Sequence, residues 1–480
     1  MSLTQEQQTV LDHVISDTSG KITLVGAVAG SGKTHLLVET AKAIKHTNGL
    51  VLCYNKSIAT EASRKFPKST NCVTTHALAY SVTVKQFGLK LGTFTYRNIT
   101  ERLDYEVKCI LVETLRRFFL SSFTSFDDFL AADIEQLPEY QVTVCKKYID
   151  LMEQGKIECT HDFYLKLYHI LLSTGAIEYD PFDFIFLDEA GDLNPVTLAI
   201  FQLLPSPRKV AVGDAQQNIY AFNHTINAFE VLTDVNLFTL TQSFRVPRYI
   251  TERVQAFCQR YIKPDMEFVG YDNHNSTITS SAYLTRTNGA LVKRIVELVE
   301  ERIPFGLVRS ADEIFKLPLM LCYIKRGGFI SNLEYKHLQH DYELWYDDPD
   351  IKAKFTSPFT YIASLYPDDV QLSNAIKLLI NFNKQKIIDA HKEAKHHEKL
   401  NQYLTLATIH SCKGLEFDEV YIADDVNNMF DNIQDRLAIA KQQDHKATYT
   451  PADITEFNLM YVAATRAKKT LNNARYLNGF

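Results

Sequence analysis

Residues 21–44 read KITLVGAVAGSGKTHLLVETAKAI and constrain this chain more than any other stretch. An apolar strand over Ile22–Val25 runs into a turn of small residues, and a helical pattern begins at Lys33. Ala29, Gly30, Ser31 and Gly32 are small enough for backbone N–H groups to close around phosphate oxygens. The positive end of the following helix dipole reinforces that preference for anions. Lys33 is placed to reach the outer phosphates of a nucleotide, and the Thr34 hydroxyl suits Mg²⁺. The full phosphate-loop pattern, GxxxxGK, has a glycine where Ala27 stands here, but the core AGSGKT is complete.

A phosphate cradle needs carboxylates opposite it, and residues 184–194, FIFLDEAGDLN, supply them. Four apolar residues run into Asp188 and Glu189, the pattern of a buried parallel strand whose carboxyl end meets a polar site. In P-loop NTPases such a strand ends in an aspartate for Mg²⁺, beside an acid that orients the attacking water. Asp188 is therefore the candidate metal carboxylate and Glu189 the candidate general base.

Bulk composition narrows the class. With 480 residues, 46% hydrophobic and 22% charged, the chain is long enough for two to four globular domains. It has no run of about 18 uncharged apolar residues, so no membrane span or membrane partner is expected. The opening MSLTQEQQTVLDHV lacks the regions of a signal peptide. Eight cysteines without a CxxC pair suit reduced thiols, so an intracellular location is expected: cytoplasm in a bacterium or virus, nucleus in a eukaryote. A net charge of −6 means that any nucleic acid must be held by a local groove.

Further stretches carry chemistry: VAVGDAQQNIYAF (210–222) with Gln217, Tyr220 and Phe222; LTQSFR (240–245) with Phe244 and Arg245; LATIHSCKGLEF (406–417); and EFNLMYVAATRAKK (456–469) with Arg466. In this order they resemble the superfamily 1 helicases of the UvrD/Rep/PcrA type, from Leu3 to about Lys469. The resemblance implies that Gln7, in LTQEQ, reads adenine, that His35 follows the loop on the nucleotide side, and that Phe244 lies under the base. It implies Gln217 at the γ-phosphate, Arg245 and Arg466 as arginine fingers, and Gly414 and Glu416 near the nucleotide. Single-stranded DNA would be met by Tyr54 and Asn55, by Thr75 and His76, by Tyr220 and Phe222, and by Thr408 and His410. YNKSIATEA (54–62) and THDFYLKL (160–167) are most similar to the F-box DNA helicase branch, although the chain opens on the LTQEQ motif and no F-box is expected ahead of it. Two departures stand out. Gly191 replaces the usual glutamine of the acidic motif and is expected to loosen coupling, and Asn223 replaces an arginine after the stacking aromatic.

The fold expected from the resemblance is α/β, with two RecA-like P-loop NTPase lobes whose parallel sheets are flanked by helices. Residues 1–95 and 178–247 would form the first lobe and 96–177 a helical insertion. Residues 248–300 and 401–480 would form the second lobe, with a reduced insertion over 301–400. HKEAKHHEK (391–399) is expected to be a solvent-facing charged helix end rather than a metal site, and Trp345 a packing residue. The implied activity uses ATP and Mg²⁺ to move 3′→5′ on single-stranded DNA and unwind partly duplex DNA. Replication, repair or recombination would be its setting, with proteins of replication or recombination as partners and a monomer as the working form. The competing readings are a translocase that mainly strips proteins from DNA and an ATP-gated DNA-binding module.

Overall fold

The computed structural model describes residues 2–133, 136–219, 225–272, 277–328, 335–366, 369–398, 403–442 and 448–477. The chain divides into two units, Met1–Phe244 and Arg245–Phe480.

The first unit is built on six parallel strands: β1 (Ile22–Ala27), β2 (Gly49–Cys53), β3 (Thr70–Thr74), β4 (Phe184–Leu187), β5 (Lys209–Gly213) and β6 (Val235–Leu240). Their order across the sheet is β3-β2-β4-β5-β1-β6. Both faces are covered, and this is why β2 and β4 read as unbroken apolar runs. Alternate residues separate the two cores. Leu24, Leu50, Leu52, Ile185, Leu187 and Ala211 face one. Val25, Val51, Phe184, Phe186, Val210 and Val212 face the other. Between β3 and β4 the chain is helical, with long helices at Tyr105–Leu120, Glu139–Glu153 and His161–Ser173. Lys166 is buried there and donates its Nζ to the carbonyls of Ser121 (2.6 Å) and Phe123 (2.7 Å), closing the end of helix Tyr105–Leu120. Burial pushes its ammonium down to about 7.

The chain passes into the second unit along β7 (Gln242–Pro247), followed by β8 (Val269–Tyr271). The second unit holds a five-stranded sheet of β9 (Ser281–Thr285), β10 (Gly306–Leu307), β11 (Leu404–Thr408), β12 (Phe417–Ile422) and β13 (Ala467–Asn472). These pair in the order β10-β11-β9-β12-β13, all parallel. Helices Asn288–Glu301, Ala311–Ile324 and Lys384–His397 share one core. Phe257, Tyr261, Phe430 and Phe457 form an aromatic cluster on helices Arg248–Tyr261, Asp424–Gln442 and Pro451–Ala464. Each unit is thus a parallel sheet flanked by helices, as the sequence predicts.

Two local expectations meet different fates. Trp345 is a packing residue: it is buried and its indole donates to the Phe355 carbonyl at 3.1 Å. The histidine-rich helix end exposes Lys392, Glu393, Lys395 and His396, as expected, but is also held on one side. His391 bonds Asp312 at 2.8 Å, and His397 stacks on the buried Phe305 ring at 4.6 Å, so the apolar side of that helix is used for docking. No metal-holding cluster of His, Cys, Asp or Glu occurs among the described residues. Nor is any described helix long and apolar enough to cross a membrane.

Candidate nucleotide-binding site

The phosphate loop leaves β1 and turns on two left-handed glycines, Gly30 (φ 77°) and Gly32 (φ 78°), before helix Lys33–Ala43 begins. Left-handed backbone costs glycine little, so the loop curls with its N–H groups turned inward. It is clamped from two sides. Gln7 is buried on the first helix, where its Nε2 donates to Ser31 O at 3.0 Å and its Oε1 accepts from Thr4 N at 3.1 Å. On the other side Val28 N donates to Leu240 O, Ser243 Oγ to Ala29 O at 2.8 Å, and Phe244 N to Gly30 O at 2.9 Å. A Cβ on Gly32 would lie 3.0 Å from Gln7 Nε2 and 3.7 Å from the Phe244 ring, so both side chains border the loop. Glu6 ties the clamps together by accepting from Thr241 N and Oγ1 at 2.9 and 2.7 Å. The sequence reading missed Glu6, Thr241 and Ser243. Only their places beside Gln7 and Phe244 hint at them.

β4 delivers the acids to the same loop. Asp188 is buried, with its N–H on Leu52 O, and its Oδ1 accepts from Glu189 N at 2.9 Å. Burial raises its carboxyl above the ordinary range, the Glu189 charge adds to this, and Lys33 opposes it. Glu189 takes φ 59°, a strained setting for a side-chain-bearing residue, which turns its carboxylate to within 3.8 Å of Lys33 Nζ. Lys33, Asp188 and Glu189 therefore converge, with Thr34 next along the helix. Thr34 and Asp188 offer hard oxygen donors, the chemistry Mg²⁺ prefers. His35 is half-buried, and its Nε2 has no hydrogen-bond partner among the described residues.

β5 brings the next group alongside. Gln217 is buried, its Nε2 donating to Asp214 Oδ2 at 2.7 Å and its N–H to Asp214 O at 3.0 Å. Asp214 itself abuts Gly191. A Cβ at Gly191 would fall 2.4 Å from the Asp214 carbonyl oxygen. A Cβ at Gly213 would fall 2.6 Å from Gly191 N and 2.8 Å from Ala190 N. Glycine at both positions lets two main chains touch, an arrangement the sequence alone does not reveal. Further along, Leu193 and Ile226 exchange two backbone bonds, so the segment that begins at Asp214 returns to the acidic loop.

Tyr54 and Asn55 follow β2. The Tyr54 ring is 53% exposed, while desolvation of its hydroxyl end and the charges of Asp192 and Glu189 push the phenol upward. Asn55 caps helix Lys56–Lys65 through Ile58 N. Thr75 is buried, and His76 stands edge-on to Tyr164 at 5.9 Å. Burial pushes the His76 imidazole down, against the pull of Asp162. Tyr220, Phe222 and Asn223 lie outside the described residues.

In the second unit Arg245 pairs with Glu416 at 2.7 Å. Arg466 is buried: its guanidinium donates to Val462 O (3.1 Å) and Leu415 O (3.4 Å), and its carbonyl accepts from Phe417 N. Thr408 is also buried, and its Oγ1 receives Ser411 N at 3.3 Å, which shapes the turn carrying the half-buried His410. Gly414 continues that loop at φ 88°.

A family model described as the UvrD-like helicase C-terminal domain matches residues 352–474, and one described as an AAA domain matches residues 11–223. The chain is 27% identical to F-box DNA helicase 1 of Gallus gallus, over 98% of this chain and 49% of that protein. It is 24% identical to F-box DNA helicase protein 1 of Schizosaccharomyces pombe, over 98% of this chain and 57% of that protein. The chain spans about half the length of these curated relatives.

Proposed function

Because this chain is a homologue of the F-box DNA helicases and carries an AAA domain and a UvrD-like helicase C-terminal domain, we propose that it hydrolyses ATP to move along DNA and unwind it. The observation that carries the reading is the convergence of Lys33, Asp188 and Glu189 on one glycine-turned loop, with Gln217 anchored beside them.

In this reading the loop N–H groups and Lys33 hold the phosphates, while Gln7 and Phe244 border the adenine side. A Mg²⁺ ion held by Thr34 and Asp188 would offset phosphate charge. The buried setting of Asp188, which disfavours a lone carboxylate, fits a group that is to share its charge with a cation. Glu189 takes the proton from the attacking water, and its left-handed backbone aims the carboxylate over Lys33. Gln217 senses the γ-phosphate, and Arg245 and Arg466 are assigned to the charge that develops on it. Tyr54, Asn55, Thr75, His76, Thr408 and His410 are assigned to single-stranded DNA, with Tyr220 and Phe222 as stacking partners. The direction is 3′→5′, in replication, repair or recombination.

Duplexes carrying a 3′ or a 5′ single-stranded tail test all of this together. Unwinding of the 3′-tailed duplex alone, with turnover stimulated by single strands, is the expected result. Stimulated turnover without strand separation would leave a translocase that clears proteins from DNA. ATP binding without turnover would leave a gated binding module and overturn the motor.

A further inference from the structure

A cavity of about 220 Å³ opens in the second unit, between helix Lys336–Asp347 and the turn that follows helix Ala311–Ile324. Two side-chain pairs of the first helix line it. Tyr342 and Tyr346 stand one turn apart, with ring centroids 5.5 Å from each other and hydroxyls at 3.4 Å. Glu343 and Asp347 stand one turn apart beside them, and both are exposed. The facing wall is nearly bare main chain, Gly327 and Gly328, with the buried Ile324 before it. Gly327 takes φ 75°, and a Cβ on Gly328 would fall 2.5 Å from the Tyr323 ring, so the turn lies flat against that ring.

The charge balance says what fits. No lysine, arginine or histidine lines the cavity among the described residues; Lys325 and Arg326 belong to the turn but are not part of its wall. Glu343 accepts from Gln339 Nε2 at 2.8 Å, a neutral partner that leaves its charge in place. The occupant is therefore a cation, and a phosphate is repelled. The chain itself shows that these rings take one: the Lys352 ammonium lies 5.2 Å from the Trp345 ring centroid and 5.7 Å from that of Tyr346. Carboxylates one helical turn apart, with Cβ atoms about 5–6 Å from each other, suit the planar five-donor fork of a guanidinium better than a compact ammonium. A guanidinium also stacks on tyrosine. Tyr323, 50% exposed, carries ring surface beyond the glycine turn. That extent suits a polypeptide passing over the cavity rather than a lone small molecule.

We propose that this cavity is a docking site for an arginine-bearing segment of a partner protein. The arginine enters between the two side-chain pairs: Glu343 and Asp347 accept from its guanidinium, and Tyr342 and Tyr346 supply the faces it stacks on. Tyr323 meets the residues that flank the arginine. Buried tyrosine and arginine are the pairings that anchor protein interfaces. The inference does not depend on the nucleotide or DNA readings above, because none of these residues belongs to them.

The test uses the full chain and short labelled peptides of glycine and serine that carry paired arginines, paired lysines or neither, compared by anisotropy at one salt concentration. The arginine peptide should bind most tightly and the uncharged one not measurably. The double variant Glu343→Gln, Asp347→Asn should weaken the arginine peptide at least about tenfold, the loss expected for hydrogen bonds to charged groups. Tyr346→Ala should weaken it about two- to fivefold, the worth of an exposed cation–π contact. Both variants should keep the parent melting temperature and ATP turnover. A second double variant, Asp265→Asn with Glu267→Gln, removes the same charge from exposed acids outside the cavity and should bind like the parent. Equal losses in the two double variants would reduce the effect to bulk charge and overturn the site. So would undiminished binding in the cavity variants, or an arginine peptide bound no better than the lysine one. Free arginine that displaces the peptide at equal concentration would overturn the choice of a polypeptide occupant.

Discussion

Replacing Gly191 by alanine probes the point where the acidic loop meets the Gln217 segment. The added Cβ would sit 2.4 Å from the Asp214 carbonyl oxygen and 3.1 Å from its carbonyl carbon. Both are main chain, so no flexible side chain can swing away. Restoring an ordinary contact of about 3 Å or more requires the two segments to part by at least about 0.6 Å, at an overpacking cost of about 1–3 kcal/mol. Ala190 cannot yield freely, because its N–H is bonded to Val212 O and its carbonyl to Ala228 N. The displacement therefore passes to Asp214, and from there to Gln217 through its bonds of 2.7 and 3.0 Å. Misplacing an active group by about 1 Å costs about 10²-fold in rate. Steady-state ATPase with saturating single-stranded DNA should show kcat lowered by about 10- to 100-fold with KM for ATP changed far less. A denaturant titration should show the accompanying loss of stability. Gly191→Gln, which installs the residue usual in the resembling helicases, should be at least as impaired. Parent-like turnover and stability in Gly191→Ala would refute the reasoning, since the main-chain contact would then carry nothing.

Lys33→Ala should reduce ATP hydrolysis to background, because the loop loses the ammonium that meets the phosphates; near-parental turnover would remove Lys33 from the site. Glu189→Gln should bind ATP with little change yet turn it over very slowly, since an amide cannot take the proton, and a nucleotide-binding assay showing lost affinity would reassign the residue. Arg466→Ala should lower the melting temperature as well as turnover, because the Leu415 carbonyl loses this donor, at about 1–3 kcal/mol if it stays dry, while Val462 O keeps the Thr465 hydroxyl; an unchanged melting temperature would deny it that structural part. Asp418 accepts from Thr279, with Lys469 and Lys468 nearby, and these hold its carboxyl far below the usual range. Its stabilisation is complete above its unfolded value of about 3.9 and is lost as pH falls toward the depressed folded value. Asp418→Asn should therefore flatten the acid side of a stability-against-pH curve, and an unaltered slope would count against the pairing.

The parts of the site that obey a local pattern were legible in the sequence. The run Ile22–Val25 before AGSGKT and the run Phe184–Leu187 before Asp188 name their own strands, because a strand buried on both faces must be apolar throughout. What was not legible depends on groups far apart in sequence. Ser243 reaches Ala29 across more than two hundred residues, and Glu6 reaches Thr241 across a similar span. Nothing in either stretch announces the other. Gly191 is the sharpest case. As a letter it reads as a missing side chain and hence a looser joint, whereas in the fold it is the vacancy that admits the Asp214 carbonyl. The stretch 391–397 obeys its local pattern in part: Lys392, Glu393, Lys395 and His396 face solvent, while the contacts of His391 with Asp312 and of His397 with Phe305 depend on residues far away in sequence.

The strand order of the first sheet also bears on how the chain is made. β1 leaves the ribosome early, yet both its neighbours come late: Leu24 pairs with Ala211 on one side and Leu237 on the other. At about 5–20 residues per second, roughly 10–40 s of synthesis separate the phosphate loop from the strands that flank it. Through that interval an apolar strand has both edges open, the condition that invites mispairing and chaperone capture. The nucleotide cradle, first in the sequence, is thus among the last parts of its lobe to be completed. Slowing translation beyond residue 240 would lengthen the chaperone-dependent phase little, whereas slowing it between residues 60 and 200 would lengthen it directly.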